Sequence, residues 1–571
     1  MASESVSTQF SVVIAGEAGQ GIQTIEYLLT KVLKSEGYHI FASKEYMSRI
    51  RGGSNSTAIR IGNQPVAAFV ESINLLVALD RDVLTHLKAR IQPETIIIGE
   101  AATLGNEHEP PIYDIPLNTI ATAVGNKLFA NSVACGAVAG LLGLAFETVA
   151  TELGTYFHSK PQTVIEQNIE AAQRGYQAGL AIVASCKVRF QLSKGADAVR
   201  NDLIINGSEA VTLGAIAGGC NFIASYPMSP GTGPLIYLAQ YAQDFGIVVE
   251  QCEDEIAAIN MGLGAWYAGA RAMVTTSGGG FALMTEGVSL AGIIESPMVI
   301  HIAQRPGPAT GLPTRTEQGD LELALYAGHG EFPRVILAPQ SIAEAFTLTQ
   351  KAFEIADRYQ VPVFVLTDQF LVDSFMNLPE LQLPENRLQP QWIKTDRNYQ
   401  RYELTPNGIS PRGIPGFGEG LVGIDSDEHD EAGHITEDLE LRIKMTDKRL
   451  RKLELLRTHT LPPVFSGERD YETLVIGWGS TYHAITEALA KLNRPGVAQL
   501  HFQQVYPLPP ATADYLTQAR RIIVVENNAT GQFAKLLKLE TGVGATRSIL
   551  KYNGMPFSLE ELLLQLGEAL Q

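Results

Sequence analysis

Three times along this 571-residue chain an apolar, strand-like run ends in glycines and gives way to a helix-like stretch. The runs are Phe10–Ala15 before Gly16–Gly21, Ala272–Thr276 before Gly278–Gly280, and Thr473–Ile476 before Gly477 and Gly479. Strands that are apolar on both faces belong in parallel sheets covered by helices. Glycine lets the chain turn tightly from strand to helix and lets its backbone approach a ligand closely. The repetition predicts an α/β fold of three blocks with mainly parallel sheets. At ~150 residues per domain, the length suggests about three to four domains.

Residues 1–190 form the first expected domain, with a helix from Thr24 to Glu36 and strands at Leu75–Asp80 and Thr95–Gly99. Alternation of this kind predicts a parallel sheet. Residues 196–385 form the second, with buried strands at Phe222–Ser225, Gly246–Cys252, Ala272–Thr276, Met298–Ala303 and Val361–Thr367. Residues 386–465 are rich in Pro, Gly and charge, yet contain Trp392, Tyr399, Tyr402 and Phe417 as anchors. They are expected to form an ordered connection and not a free linker. Residues 466–571 form the last domain.

Net charge is -18 at pH 7, which argues against nucleic acid or an anionic membrane as partner. The bland account of that charge is solubility. Cys135, Cys186, Cys220 and Cys252 are scattered without a C-x-x-C pair. That spacing fits a reduced, cytoplasmic setting and argues against a cysteine-ligated cluster or zinc within this chain. No leader is legible at the amino terminus, and Val133–Phe146 is too short to span a bilayer.

Six segments carry candidate chemistry. Gly16-Glu-Ala-Gly-Gln-Gly21 opens a helix where backbone amides can hold an anion, but its spacing is neither the dinucleotide fingerprint nor a Walker loop. Arg49-Ile-Arg-Gly-Gly-Ser54 puts two cations, Arg49 and Arg51, beside a flexible turn, suited to a phosphate or a carboxylate, though a surface salt bridge is the commoner fate of such arginines. Tyr226-Pro-Met-Ser-Pro-Gly-Thr232 follows a strand at the sheet edge where α/β proteins bind ligands; a helix cap explains nearly the same residues. Glu255 opens an apolar helix. Burial would raise its pKa and the helix terminus would lower it, and the sequence does not choose between them. Arg305-Pro-Gly-Pro-Ala-Thr-Gly-Leu-Pro-Thr314 roots one guanidinium in a stiff loop, apt for gripping a carboxylate, or a plain turn. The acidic run Asp427–Glu431 with His434 has the composition of a hard-cation site, though an exposed acidic loop is the commoner form.

Taken in order, these segments resemble the α subunit of 2-oxoacid:ferredoxin oxidoreductases, the 2-oxoglutarate type with its γ domain fused in front. G-E-A-G-Q-G and R-I-R-G-G-S are similar to γ-domain motifs. Y-P-M-S-P-G-T is similar to Y-P-I-T-P, and S-G-G-G and R-P-G-P-A-T-G-L-P-T to segments of the pyrimidine-binding domain. S-P-R-x-I-P-G and E-H-D-E-x-G-H resemble the connecting region, and Asn528-Ala-Thr-Gly-Gln532 a motif of the transketolase carboxyl-terminal-like domain.

The resemblance implies a coenzyme A-dependent oxidative decarboxylation that reduces ferredoxin. It implies Glu255, Arg305 and Ser229 as catalytic residues, with Thr314 and Thr232 joining Arg305 and Ser229 around the substrate. Glu255, Tyr226, Pro227, Gly278 and Gly279 would hold thiamine diphosphate, and Gly19, Gly21 and Arg51 coenzyme A or a phosphate. Ser229 replaces the family's usual Thr and Gly279 its frequent Pro. A G-D-G…N diphosphate motif and cluster cysteines are not evident, so Mg2+ and a [4Fe–4S] cluster are expected on a separate β subunit, the whole forming an (αβ)2 assembly. No metal ligand is assigned to this chain. The same chemistry on pyruvate, a branched-chain 2-oxoacid or indolepyruvate is the alternative, as is a non-catalytic assembly subunit. A dicarboxylate would need a second cation from Lys44, Arg49, Arg51, Arg315 or a partner.

Overall fold

A computed structural model describes residues 9–48, 53–105, 110–186, 195–383 and 388–571. The chain divides into two compact units, not one for each block. One comprises 1–205, 374–381 and 558–560; the other comprises 206–373, 382–557 and 561–571.

The first unit is built on an eight-stranded sheet. Strand Gln9–Glu17 lies at its centre, with Leu75–Ala78, Ile96–Gly99 and Ile112–Asp114 following in parallel on one side. The other side departs from the expected parallel sheet. Ser54–Gly62 pairs antiparallel with both Gln9–Glu17 and His39–Glu45, and Phe375–Leu378 pairs antiparallel with His39–Glu45. The second expected domain therefore ends too late at 385, because a strand within it completes the first sheet.

Helices Ala130–Leu142 and Gln162–Cys186 cover this unit in close contact. A side chain at Gly136 would stand 1.9 Å from the Ala172 carbonyl, and one at Gly175 2.1 Å from that of Val133. Glycine at those positions lets the two backbones touch.

In the second unit a seven-stranded sheet runs in the order Gln504–Tyr506, Val335–Leu337, Pro362–Asp368, Met298–Gln304, Ala272–Thr276, Phe222–Ser225, Val248–Gln251. All but Gln504–Tyr506 are parallel. Met298–Gln304 and Pro362–Asp368 are buried along their whole length, which explains why they are mainly apolar, with His301, Gln304, Thr367 and Asp368 as their polar positions. The same unit holds a five-stranded sheet whose core strands are Val497–Phe502, Thr473–Trp478 and Arg521–Glu526.

The connecting region is ordered by buried charge. Helix Leu439–Thr458 sends Lys448 and Lys452 to Glu295 at 2.6 and 2.5 Å, all three side chains being fully buried. Burial opposes ionisation of Glu295, but Lys452, Lys448 and Arg401 outweigh it and hold the carboxyl well below its usual range. Asp357 likewise binds Arg271 at 2.8 Å and Arg412 at 2.5 Å. Removing one partner of such a cluster would leave an uncompensated buried charge.

Candidate active site

Strands Phe222–Ser225, Ala272–Thr276 and Met298–Gln304 are neighbours in one parallel sheet, so the segments leaving their carboxyl ends meet. These segments are the three singled out by sequence: the Tyr226–Gly231 turn, the Ser277–Gly280 turn and the Arg305–Thr314 loop. Such an edge is where open α/β sheets bind ligands.

The three are joined by short contacts. Thr275 Oγ1 donates to the Gly231 carbonyl at 2.7 Å. Arg305 Nη1 donates to the Ser229 carbonyl at 2.5 Å. A Cβ on Gly279 would lie 3.4 Å from the Ala309 carbonyl and 4.0 Å from Met228 Sδ. Both outer loops contain a cis X–Pro bond, Ser229–Pro230 and Gly307–Pro308. The Arg305 loop also turns through left-handed backbone at Ala309 and Gly311.

Beneath them runs a buried polar chain. Since the Thr275 hydroxyl spends its hydrogen on Gly231, the 2.7 Å contact to His301 Nδ1 requires Nδ1 to carry the proton. His301 Nε2 then accepts from Thr367 Oγ1 at 2.8 Å. Burial lowers the His301 pKa to about 3, so the ring is neutral and structural.

Glu255 is the first residue of helix Glu255–Tyr267, capped by Asp254, which accepts from the Ala257 amide at 2.8 Å. It is only 3% exposed, and its Oε1 is buried without a hydrogen-bond partner. Burial is the largest influence and raises its pKa; its own backbone N–H opposes that, and Asp254 adds to it. The ambiguity left by the sequence is settled in favour of burial. A Cβ on Gly280 would stand 2.3 Å from Glu255 Oε1, which shows how closely that glycine receives the carboxyl.

Sequence reasoning missed Asp320, which resembles an ordinary residue before the short helix Leu321–Tyr326. Its Oδ1 would be 2.2 Å from a Cβ on Gly278, and its Oδ2 is buried without a partner. Two carboxyls thus flank one glycine turn, Asp320 against Gly278 and Glu255 against Gly280. Burial and Glu317 push Asp320 up to about 7, against the pull of Arg305. Arg305 Nε is also buried and unpartnered, and burial lowers the guanidinium pKa against the influence of Asp320.

The far end of the Arg305 loop is clasped to the last block. Gln318 donates to the Trp478 carbonyl at 2.8 Å and accepts from the Asn527 amide at 2.9 Å. Asn528 Nδ2 donates to the Gln318 carbonyl, and Gln532 Nε2 to that of Gly319. The Asn528–Gln532 motif is therefore the anchor of this loop.

Other candidates are placed less centrally. Ser229 and Tyr226 are exposed, and Pro227 and Thr232 half-buried, along the same turn. Thr314 is half-buried, and among the described residues no hydrogen bond ties it to Arg305, Ser229 or Glu255. In the first unit Gly19 and Gly21 adopt left-handed φ of 97° and 84° ahead of helix Ile22–Ser35. Arg49 and Arg51 lie outside the described residues. Lys44 is paired with Glu26 at 2.9 Å, and Arg315 Nη1 lies 3.8 Å from Met555 Sδ.

The acidic segment is exposed at Asp427 and His434 and packed between them. Glu428 binds Arg449 and Arg442, Glu431 accepts from the Leu404 amide, and His429 stacks on Tyr402 at 3.9 Å. Cys135, Cys220 and Cys252 are buried and free.

Residues 213–448 match the profile described as pyruvate flavodoxin/ferredoxin oxidoreductase, thiamine diphosphate-binding. Residues 11–178 match that described as pyruvate ferredoxin/flavodoxin oxidoreductase. The chain is 32% identical to a 2-oxoacid:ferredoxin oxidoreductase subunit alpha from Sulfolobus sp, over 97% of this chain and 96% of that one. It is 36% identical to the 2-oxoglutarate synthase subunit KorA of Archaeoglobus fulgidus, over 58% of this chain and 89% of the relative. A solved 2-oxoglutarate:ferredoxin oxidoreductase from Magnetococcus marinus, with 2-oxoglutarate, coenzyme A and succinyl-CoA bound, aligns at a TM-score of 0.93 and 28% identity, over 99% of this chain and 100% of that one.

Proposed function

This chain belongs to the 2-oxoacid:ferredoxin oxidoreductase family, and from that premise we propose that it is an α-type subunit acting on 2-oxoglutarate. The reaction is coenzyme A-dependent oxidative decarboxylation, giving an acyl-coenzyme A and carbon dioxide and reducing ferredoxin. One observation carries the reading: an arginine and an orphaned, buried glutamate converge at the carboxyl edge of a sheet inside the thiamine diphosphate-binding match. The relative that holds 2-oxoglutarate favours that acid over pyruvate, a branched-chain 2-oxoacid or indolepyruvate. A subunit serving assembly alone would leave the buried Glu255 Oε1 without a use.

The residues fit thiamine diphosphate. Glu255 Oε1 lacks a partner that a pyrimidine nitrogen would provide, and the glycine turn seats that carboxyl closely at Gly280. When bound, that cofactor supplies the nucleophilic carbon and the electron sink for decarboxylation. Glu255 would hold the pyrimidine through Oε1, where a carboxyl whose pKa burial has raised can carry or release a proton. Arg305 pairs with the 2-oxoacid carboxylate and fixes its orientation. Ser229 presents a hydroxyl beside it, with Thr232 and Thr314 as further lining. Tyr226, Pro227, Gly278 and Gly279 form the wall against the cofactor.

The γ-type domain corresponds to residues 1–190, the pyrimidine-binding domain to 196–385 less its final strand, and the transketolase-like domain to 466–571. Gly19, Gly21 and Arg51 are the candidates for coenzyme A or a phosphate. Mg2+ and a [4Fe–4S] cluster belong to a β subunit, in a cytoplasmic (αβ)2 assembly. Among the described residues no helix is long and apolar enough to cross a membrane.

The purified chain is expected to be colourless and inactive, and to reduce a viologen dye only with a brown, cysteine-rich β subunit. Turnover by the chain alone sinks the split-site reading. Gly280→Ala tests the Glu255 seat, because its methyl would displace the carboxylate and the Thr276 hydroxyl. Turnover should drop about 10²-fold, as for a reacting group moved by ~1 Å. The stability cost should be about 1–3 kcal/mol, read from denaturant melts. Undiminished turnover would remove the proposed contact.

A further inference from the structure

The carboxyl of Asp320 is unused by the chemistry assigned above, yet it is the charged group that acts on Arg305. Its Oδ2 is shut off from solvent and unbonded, as is Arg305 Nε, and its Oδ1 lies against Gly278 on the site's own glycine turn. Its backbone amide is fixed by Gln304 Oε1 at 3.0 Å, one residue before Arg305. The strand end and the loop that carries Asp320 are thereby held together.

The charged groups around this carboxyl are few. Arg305 faces it from the strand end and Glu317 from its own loop, while Glu255 stands beyond Gly280. Glu322, two residues on, is occupied by Lys535 at 3.0 Å.

We infer that Asp320 is a positioning residue for Arg305, and that it must be neutral for a 2-oxoacid carboxylate to take the guanidinium. The inference rests on the reading that Arg305 binds that carboxylate. An ionised Asp320 offsets part of the Arg305 charge through space and repels the incoming acid; a protonated one leaves the full cationic charge to the substrate. Binding is then linked to uptake of one proton by the Asp320 carboxylate, drawn from solvent, with no other bond made or broken.

The sign follows from the raised pKa. At pH below about 7 the free site already carries the proton, so substrate affinity is flat. Above it each binding event must acquire one, and the apparent KM rises by roughly tenfold per pH unit until the pKa of the complex is reached.

The test uses the reconstituted αβ enzyme loaded with thiamine diphosphate. KM for 2-oxoglutarate is measured from about pH 6 to about pH 8.5 in wild type and Asp320→Asn. The wild type should show the rise, and the permanently neutral variant should lose it. An unchanged slope in Asp320→Asn, or a KM raised about tenfold at low pH where the wild-type group is already neutral, overturns the inference. A second measurement needs no variant. Calorimetry with 2-hydroxyglutarate, which cannot be decarboxylated, in buffers of different ionisation enthalpy should show proton uptake at slightly alkaline pH; zero uptake overturns the inference. If Arg305→Ala raises KM while Asp320→Asn keeps the wild-type slope, only this inference falls. If Arg305→Ala leaves KM unmoved, the carboxylate-binding reading falls first.

Discussion

Glu255→Gln should lower turnover by about 10²–10⁴-fold, the range by which a positioned acid or base accelerates a reaction. The substitution keeps the shape of the side chain and its place at the helix start, so the fold and KM should change little. What it removes is a carboxyl able to hold or release a proton at Oε1, the atom that the protein leaves unpartnered. Single-turnover and steady-state rates with saturating thiamine diphosphate separate this loss from weak cofactor binding. Wild-type turnover in a variant that binds the cofactor would sink the assignment.

Arg305→Ala should raise KM for 2-oxoglutarate by roughly 10–150-fold, the equivalent of about 1.5–3 kcal/mol for hydrogen bonds to a charged group. Its half-buried setting and fixed bond to the Ser229 carbonyl place the guanidinium above the exposed-pair range of such effects. Arg305→Lys should recover only part of the loss, because an ammonium cannot offer the planar fork. KM unchanged in the alanine variant, with circular dichroism showing an intact fold, would remove Arg305 from the substrate site.

Much of the fold was legible because its parallel strands are buried on both faces. Ala272–Thr276 and Met298–Gln304 read as mainly apolar runs, and each is a strand close to its expected limits. The antiparallel half of the first sheet was not. Ser54–Gly62 carries Ser, Thr, Asn and a buried Arg60, whose guanidinium is satisfied by Gln9 and the Ala68 carbonyl. Polar residues at buried positions hide a strand from a reading based on hydrophobicity. Phe375–Leu378 was assigned to the wrong domain for another reason: sequence adjacency says nothing of which sheet an edge strand joins.

Three of the candidate segments read from the sequence meet at one sheet edge, but their balance of forces was not legible. Glu255 stood at a helix start where dipole and desolvation oppose each other, and only the enclosing turn shows that desolvation prevails. Asp320 left no signal, since an acid before a helix is an ordinary cap; its meaning comes from Gly278, more than forty positions upstream. The acidic run near residue 430 is only partly exposed, because Glu428 meets arginines from a helix that follows.

The clasp of Gln318 and Asn528 has a kinetic consequence. A loop that must be immobilised by its ligand loses conformational freedom at each encounter, weakening affinity by ~0.5–1.5 kcal/mol per ordered side chain. Here the last block holds the far end of the loop once, when the chain folds, before any ligand arrives. The final hundred residues thus act as a mould for a loop that lies outside them.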